Sequence, residues 1–283
     1  LVDFSANINP MGLGKMARQA IEENIENIIH YPDVDMITLK TEIAQLYGID
    51  ADSIIVGNGA VELLYILCRV LEPKNVLLLA PTFSEYESAA KASHAEIEYL
   101  YLTPENNFVI DIQEMIERLA SVDMVFICNP NNPTGRLLNH TQIEKVLHTA
   151  QQHHTYVVVD ESFMDFLISD EIYTCRSLLT KYPNLIILHS LTKFYAIPGL
   201  RLGFCLTEPE LTKLLHLGKD PWNVNTLAQS AGVAALQDYD YQRRGKEFLE
   251  KVKMDLYESL QTIPGLHPYL PSVNFIFINI FIF

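Results

Sequence analysis

The sequence predicts an α/β fold in which a large, mainly parallel sheet is covered by helices and joined to a second, smaller part. Short apolar runs, most with β-branched residues, recur at 54–56, 76–79, 97–102, 124–128, 156–159 and 185–188, and the pattern changes after 203–206. Helix-length segments lie between most of them, at 61–71, 84–93, 111–120 and 141–153. The runs are unbroken rather than alternating, the pattern of strands buried on both faces by crossover helices. The 283 residues allow about two domains at roughly 150 residues each.

Segment 3–14 reads as loop, because it holds Asn7, Asn9, Pro10, Gly12 and Gly14. The spacing of Ala17, Ala20, Ile21, Ile25 and Ile28 predicts a helix over 15–29, and His30-Tyr31-Pro32-Asp33 breaks it. A second helix covers 36–47 and stops at Gly48. Strands and helices then alternate from 54 to 206. Beyond them, 210–260 is mostly helical. Its charged stretch 241–253 is a solvated helix face, since Glu247 and Glu250 interleave the basic residues. The last segment, 274–283, is apolar at nearly every position and predicts one buried strand or two short ones. The chain starts without Met and ends on this apolar run, so both terminal regions are expected to be incomplete.

Lys and Arg number 20 and Asp and Glu 35, a formal charge of −15. Such a field repels polyanions, so neither nucleic acid nor an anionic membrane is an expected partner, and a bound phosphate would need a local pocket. No apolar run approaches the ~18 residues that span a bilayer. The first residues show no signal-peptide pattern, and the cytoplasm is the expected location. Cys68, Cys128, Cys175 and Cys205 are widely spaced, with no C-x-x-C pair and no histidine at metal-ligand spacing. They read as small apolar residues of a reducing compartment rather than a disulfide frame or a metal site.

Four signatures fall at the C-terminal ends of predicted strands or in the loops after them, where open α/β sheets place ligands. Val56-Gly57-Asn58-Gly59-Ala60-Val61-Glu62 joins a strand to a helix. Small residues allow close backbone approach there, and the free N–H groups of a helix start favour an anion, although such glycines also serve as a plain turn. Asn129-Pro130-Asn131-Asn132-Pro133-Thr134-Gly135 forces a fixed non-helical loop, in which Asn132 completes a turn or presents its amide to a ligand. Asp160 directly follows a buried run, where a carboxylate is costly without a partner. It is a helix cap or the counter-ion of a cationic ring nitrogen. Lys193 stands among small and apolar residues in Ser190-Leu191-Thr192-Lys193-Phe194-Tyr195. Desolvation there would make its amine a nucleophile for Schiff-base formation; a structural lysine with an acid partner is the other reading. Ser190 and Arg201 flank it, and both suit phosphate. Together these residues supply an imine-forming amine, an acid for a ring nitrogen, an amide for a ring oxygen and a local phosphate cup. Those are the needs of pyridoxal 5'-phosphate.

In these motifs and their order the chain resembles the fold-type I family of pyridoxal-phosphate enzymes, the aspartate aminotransferase superfamily, over nearly its whole length. The resemblance implies that Lys193 is the Schiff-base lysine, that Asp160 keeps the pyridine nitrogen protonated and that Asn132 contacts the ring hydroxyl. It implies that the backbone at Gly59, Ala60 and Val61, with Ser190 and Arg201, holds the cofactor phosphate. Phe83, in Ala80-Pro81-Thr82-Phe83, matches the aromatic that stacks on the ring. Tyr31 matches the tyrosine that reaches the cofactor phosphate of the neighbouring subunit, which implies a homodimer. The resemblance also implies an N-terminal arm and part of a small domain (1–30) and a large cofactor-binding domain (31–210). An interdomain helix and an incomplete small C-terminal domain follow (211–283), the small domain being α+β and built from both chain ends.

Two segments are most similar to the branch of the family that decarboxylates L-threonine O-3-phosphate to aminopropanol phosphate in cobalamin biosynthesis. They are Asp3-Phe4-Ser5-Ala6-Asn7-Ile8-Asn9-Pro10 and 190–203. Aminotransferases of the family typically have Glu where this chain has Ile8, and the decarboxylase position matching Asn7 lies at the substrate. A small phosphorylated amino acid is the implied substrate, with Asn7 and Asn132 beside it. Tyr31-Pro32-Asp33 and Asn131-Asn132-Pro133-Thr134-Gly135 also suit the histidinol-phosphate aminotransferase branch, the alternative. A non-catalytic regulator with an aminotransferase-like domain is a third reading. Phe163 stands where many members have Tyr three residues after the aspartate; it cannot donate to a ring oxygen, which suits the decarboxylase. No arginine follows Arg244 to take a substrate carboxylate, and the decarboxylase's glycine-rich segment is not found ahead of Leu1.

Overall fold

The computed structural model describes residues 6–281. Its centre is a seven-stranded sheet in the order β1-β7-β6-β5-β4-β2-β3, formed by β1 (Ile54–Gly57), β2 (Asn75–Ala80), β3 (Glu96–Tyr101), β4 (Met124–Cys128), β5 (Tyr156–Asp160), β6 (Leu185–Ser190) and β7 (Gly203–Leu206). Five strands pair in parallel through β3-β2-β4-β5-β6. The sheet is thus mainly parallel, as expected. The exception is β7, which runs antiparallel between β1 and β6. A strand buried on both faces is apolar throughout whichever way it runs, so its direction leaves no mark on its residues.

Among the described residues, ten helices surround the sheet: α1 (Lys15–Asn24), α2 (Ile37–Tyr47), α3 (Ala60–Leu71), α4 (Glu85–Ala92), α5 (Ile112–Arg118), α6 (His140–Gln152), α7 (Leu191–Phe194), α8 (Pro209–Leu217), α9 (Thr226–Gln237) and α10 (Tyr239–Gln261). Strand side chains alternate between two cores. Val125, Ile127, Val157 and Val159 join Leu39, Ile143, Leu147 and Ala228 from α2, α6 and α9. Met124, Phe126, Val158 and Ile186 join Leu63, Leu67, Tyr86 and Leu215 from α3, α4 and α8. Local chemistry sets the helix ends. The Asn139 side chain accepts from the Gln142 N–H (2.9 Å) while the Gln142 side chain accepts from the Asn139 N–H (3.0 Å), a capping box that starts α6. Gly48 closes α2 in the left-handed region at φ 67°.

Two expectations need correction. The helix predicted over 15–29 ends at Asn24, and a 3-10 segment, Ile25–Ile29, follows. Asn24 donates its amide to the Ala20 carbonyl (2.9 Å) and accepts from Asn27, and such side-chain bonds compete with the helical ladder. Ile25 and Ile28 are exposed, so their spacing marks no buried face. Among the described residues, the apolar end forms no buried strand: β9 (Ile278–Ile280) pairs antiparallel with β8 (Leu266–Pro268), and Ile280 and Phe281 are exposed. Residues 282–283 of that segment, and Asp3, Phe4 and Ser5 of the N-terminal motif, lie outside the described residues.

The charges of 241–253 pair along α10, Arg243 with Asp240 and Glu247, and Arg244 with Asp240. All four cysteines are buried and unpaired. Among the described residues, no helix is long and apolar enough to cross a membrane, and no cluster of His, Cys, Asp or Glu is placed to hold a metal ion.

Candidate active site

A cavity of about 260 Å³ opens where β1, β2, β4, β5 and β6 end. The fold brings together Asn7, Ala60, Val61, Phe83, Asn132, Asp160, Ser190, Lys193 and Arg201 on its wall, from segments far apart in sequence.

Asp160 is the last residue of β5 and only 5% exposed. Its Oδ2 accepts from the Tyr86 hydroxyl (2.8 Å) and its Oδ1 from the Ser162 N–H (2.9 Å). These two donors offset the cost of a buried carboxylate. The same acid depends on Tyr86, so burial and then the Asp160 charge push the Tyr86 phenol well above its ordinary value, and it stays a donor.

Lys193 lies in α7, a short helix that starts at Ser190 directly after β6. Among the described residues its Nζ makes no hydrogen bond or ion pair. Burial first, and the nearby Arg201 charge second, hold its proton affinity below the usual lysine value, while Asp160 pulls the other way. The result is an amine more readily neutral than a surface lysine. Ser190 caps α7, and its hydroxyl is 2.7 Å from that of Thr192.

The third asparagine of the 129–135 loop differs from the first two. Asn129 exchanges side-chain bonds with the Leu138 backbone (2.9 and 2.8 Å), and Asn131 bonds to Pro81, Thr82 and Thr134. Both are fully buried and serve the loop. Asn132 is half-buried on the cavity wall, and its backbone N–H is anchored to the Cys128 sulfur (3.4 Å). Cys128 itself is inert there, because burial pushes its thiol up to about 12.

At the start of α3, Gly59 (φ 85°) and Arg201 (φ 60°) both occupy the left-handed region. A Cβ at Gly59 would collide with the Arg201 guanidinium, and one at Gly203 with the Ala60 backbone nitrogen. The cradle is thus cleared to the backbone, with helix N–H groups and a guanidinium around it, which suits a phosphate. With an acid and a weakly basic amine on the same wall, the residues present fit pyridoxal 5'-phosphate.

Asn9 straps the N-terminal segment across the cavity. Its N–H donates to the Lys193 carbonyl (3.0 Å), its amide donates to the Phe194 carbonyl (2.9 Å), and its Oδ1 accepts from the Met11 N–H (3.1 Å). That places Ala6 and Asn7 on the wall. Phe163 also lines it, edge-on to Phe275 at 5.1 Å. Tyr31 does not: it is 81% exposed and lies against Trp222, with ring centroids 4.9 Å apart. Tyr86 was not among the residues expected here. Its signal was a tyrosine on the same helix face as Ala89 and Ala90, where a buried hydroxyl needs an acceptor.

A family model described as aminotransferase class I and II matches residues 1–281. The chain belongs to that family. Its enzymes depend on pyridoxal 5'-phosphate. The chain is 32% identical to the threonine-phosphate decarboxylase of Salmonella typhimurium, over 99% of this chain and 76% of that protein. It is 34% identical to histidinol-phosphate aminotransferase 2 of Haemophilus influenzae, again over 99% of this chain and 76% of the relative. The fold superimposes on the crystal structure of histidinol-phosphate aminotransferase from Clostridium acetobutylicum with a TM-score of 0.91, at 30% identity, covering 99% of this chain and 83% of that one. Family and fold are therefore those expected from the sequence. Relatives named for decarboxylation and for transamination are similar to a comparable degree, so likeness alone does not divide the two reactions.

Proposed function

We propose that this chain decarboxylates L-threonine O-3-phosphate to aminopropanol phosphate and carbon dioxide with pyridoxal 5'-phosphate. The observation that carries this reading is the strap: Asn7, from the Asn-Ile-Asn-Pro segment similar to the decarboxylase branch, lies on the same cavity wall as Lys193 and Arg201. Phe163 supports it, since it offers no donor at the wall where aminotransferases of the family often carry a tyrosine. The high structural similarity to a histidinol-phosphate aminotransferase keeps that activity as the second reading.

Ser190, Arg201 and the backbone at Gly59, Ala60 and Val61 would take the cofactor phosphate. Asp160 would hold a proton at the ring nitrogen, Asn132 would meet the ring oxygen and Phe83 the ring face. When bound, the cofactor supplies an aldehyde for amines and a ring that accepts the electron pair released at the substrate α-carbon. This chain's part is to choose the bond by orientation, through Asn7 and Asn132, and to exclude water beneath the strap. The lowered proton affinity of Lys193 lets Nζ give up a proton and return one to the α-carbon. Tyr31, exposed on the outer surface, would serve the phosphate of a second copy in a homodimer.

The test is to load the protein with the cofactor and add threonine phosphate. Release of carbon dioxide with aminopropanol phosphate is expected. Turnover of histidinol phosphate that needs a keto acid and releases no carbon dioxide would overturn the proposal.

A further inference from the structure

Behind the phosphate cradle lies a hydrogen-bond chain that none of the cavity residues explains. Glu62, in the first turn of α3, turns its Oε2 back to accept from the Asn58 N–H (2.7 Å) and from the Asn223 amide (2.6 Å). Asn223 in turn accepts from Lys219 Nζ (2.8 Å), and both reach toward the Val56 carbonyl at the end of β1 (3.4 and 3.5 Å). Arg69 of α3 donates to the Gly218 carbonyl of the same α8–α9 connection. Two elements distant in sequence are thus tied to the turn between β1 and α3.

We propose that Glu62, Asn223 and Lys219 form a buttress that positions turn 57–60 for the cofactor phosphate. The inference rests on the reading of the cavity as a pyridoxal-phosphate site. None of the three lines the cavity, so they are positioning residues. A carboxylate at the start of α3 competes with a phosphate for the same positive helix end. Asn223 and Lys219 hold that carboxylate away from the cradle, and its oxygen fixes the Asn58 N–H. Ala60 and Val61, with no intrahelical partners for their N–H groups, are left for the anion. The charged groups facing Lys219 are Lys40, Glu62 and Asp220. Burial first and Lys40 second lower its proton affinity to about 8, and Glu62 and Asp220 oppose them.

The experiment compares two ligands that differ only in the phosphate. Affinities of purified wild type, Glu62→Ala, Asn223→Ala and Glu62→Gln for pyridoxal 5'-phosphate and for pyridoxal are read from the near-visible absorbance. The two alanine variants should lose about tenfold in affinity for pyridoxal 5'-phosphate and bind pyridoxal as wild type does. Glu62→Gln, which keeps an acceptor for Asn58, should restore most of the loss. Equal losses for both ligands, or no loss for either, would overturn the buttress, and Asn223→Ala carries the test alone should Glu62→Ala not fold. Wild-type protein that takes up neither ligand would instead overturn the cavity reading on which it rests.

Discussion

On the floor of the cavity, Asp160, Ser190 and Lys193 stand at or just beyond the ends of two central strands. Ala6 and Asn7 line the same space, and their segment is held to the Lys193 and Phe194 carbonyls by Asn9. The floor inherits its geometry from β5 and β6, whose side chains are buried on both faces and locked into two cores. The strap depends on a few hydrogen bonds, each of net value near 1 kcal/mol. On the proposed function, chemistry common to the family sits on the rigid part, and substrate contacts sit on a part held by few bonds, which is easier to alter.

The largest effect is expected on the floor. Lys193→Ala should abolish the near-visible absorbance of the loaded protein and lower turnover by about a thousandfold or more. Product formation at the wild-type rate in that variant would remove the catalytic assignment. The strap should give a smaller and different response. Asn9→Ala loses the amide bond to Phe194 and the acceptor for Met11, and KM should rise by roughly tenfold while the cofactor absorbance stays as in wild type. A simultaneous loss of that absorbance would show that floor and strap are one unit.

The smallest effect concerns the half-buried Lys219 behind the cradle. Lys219 binds its proton less tightly in the folded chain, at about 8 against 10.5. Between those pH values the unfolded chain holds more protons at this position, so the Lys219 contribution makes folding more favourable as pH rises through the window. Urea midpoints of wild type and Lys219→Met across it should therefore converge or cross, with the variant gaining less from the rise. Parallel curves would show that Lys219 is not enclosed in solution.

Much of the site was legible because its residues follow buried strands. Asp160 and Lys193 are out of place in their apolar surroundings, and that cost is visible in one dimension. Asn132 was legible as part of a loop, but its separation from Asn129 and Asn131 was not. All three are asparagines beside proline, and only the packing shows which two are consumed by the loop. Tyr86 read as an ordinary helix residue and Glu62 only as the end of the first signature with no role of its own, since their partners Asp160 and Asn223 lie many residues away. The apolar end misled for the opposite reason: hydrophobicity alone does not say whether a surface exists to cover it, and Ile280 and Phe281 find none among the described residues.

By itself the sequence determined the α/β class, the positions of six of the seven central strands and the family to which the chain belongs, because burial on both faces and loop chemistry are properties of short segments. Tertiary structure alone decided the reversal of β7, the pairing of Tyr86 with Asp160, the strap made by Asn9 and the tie from Glu62 to the α8–α9 connection. Each of these is a contact between distant segments, and its energy exists only once the chain has brought them together.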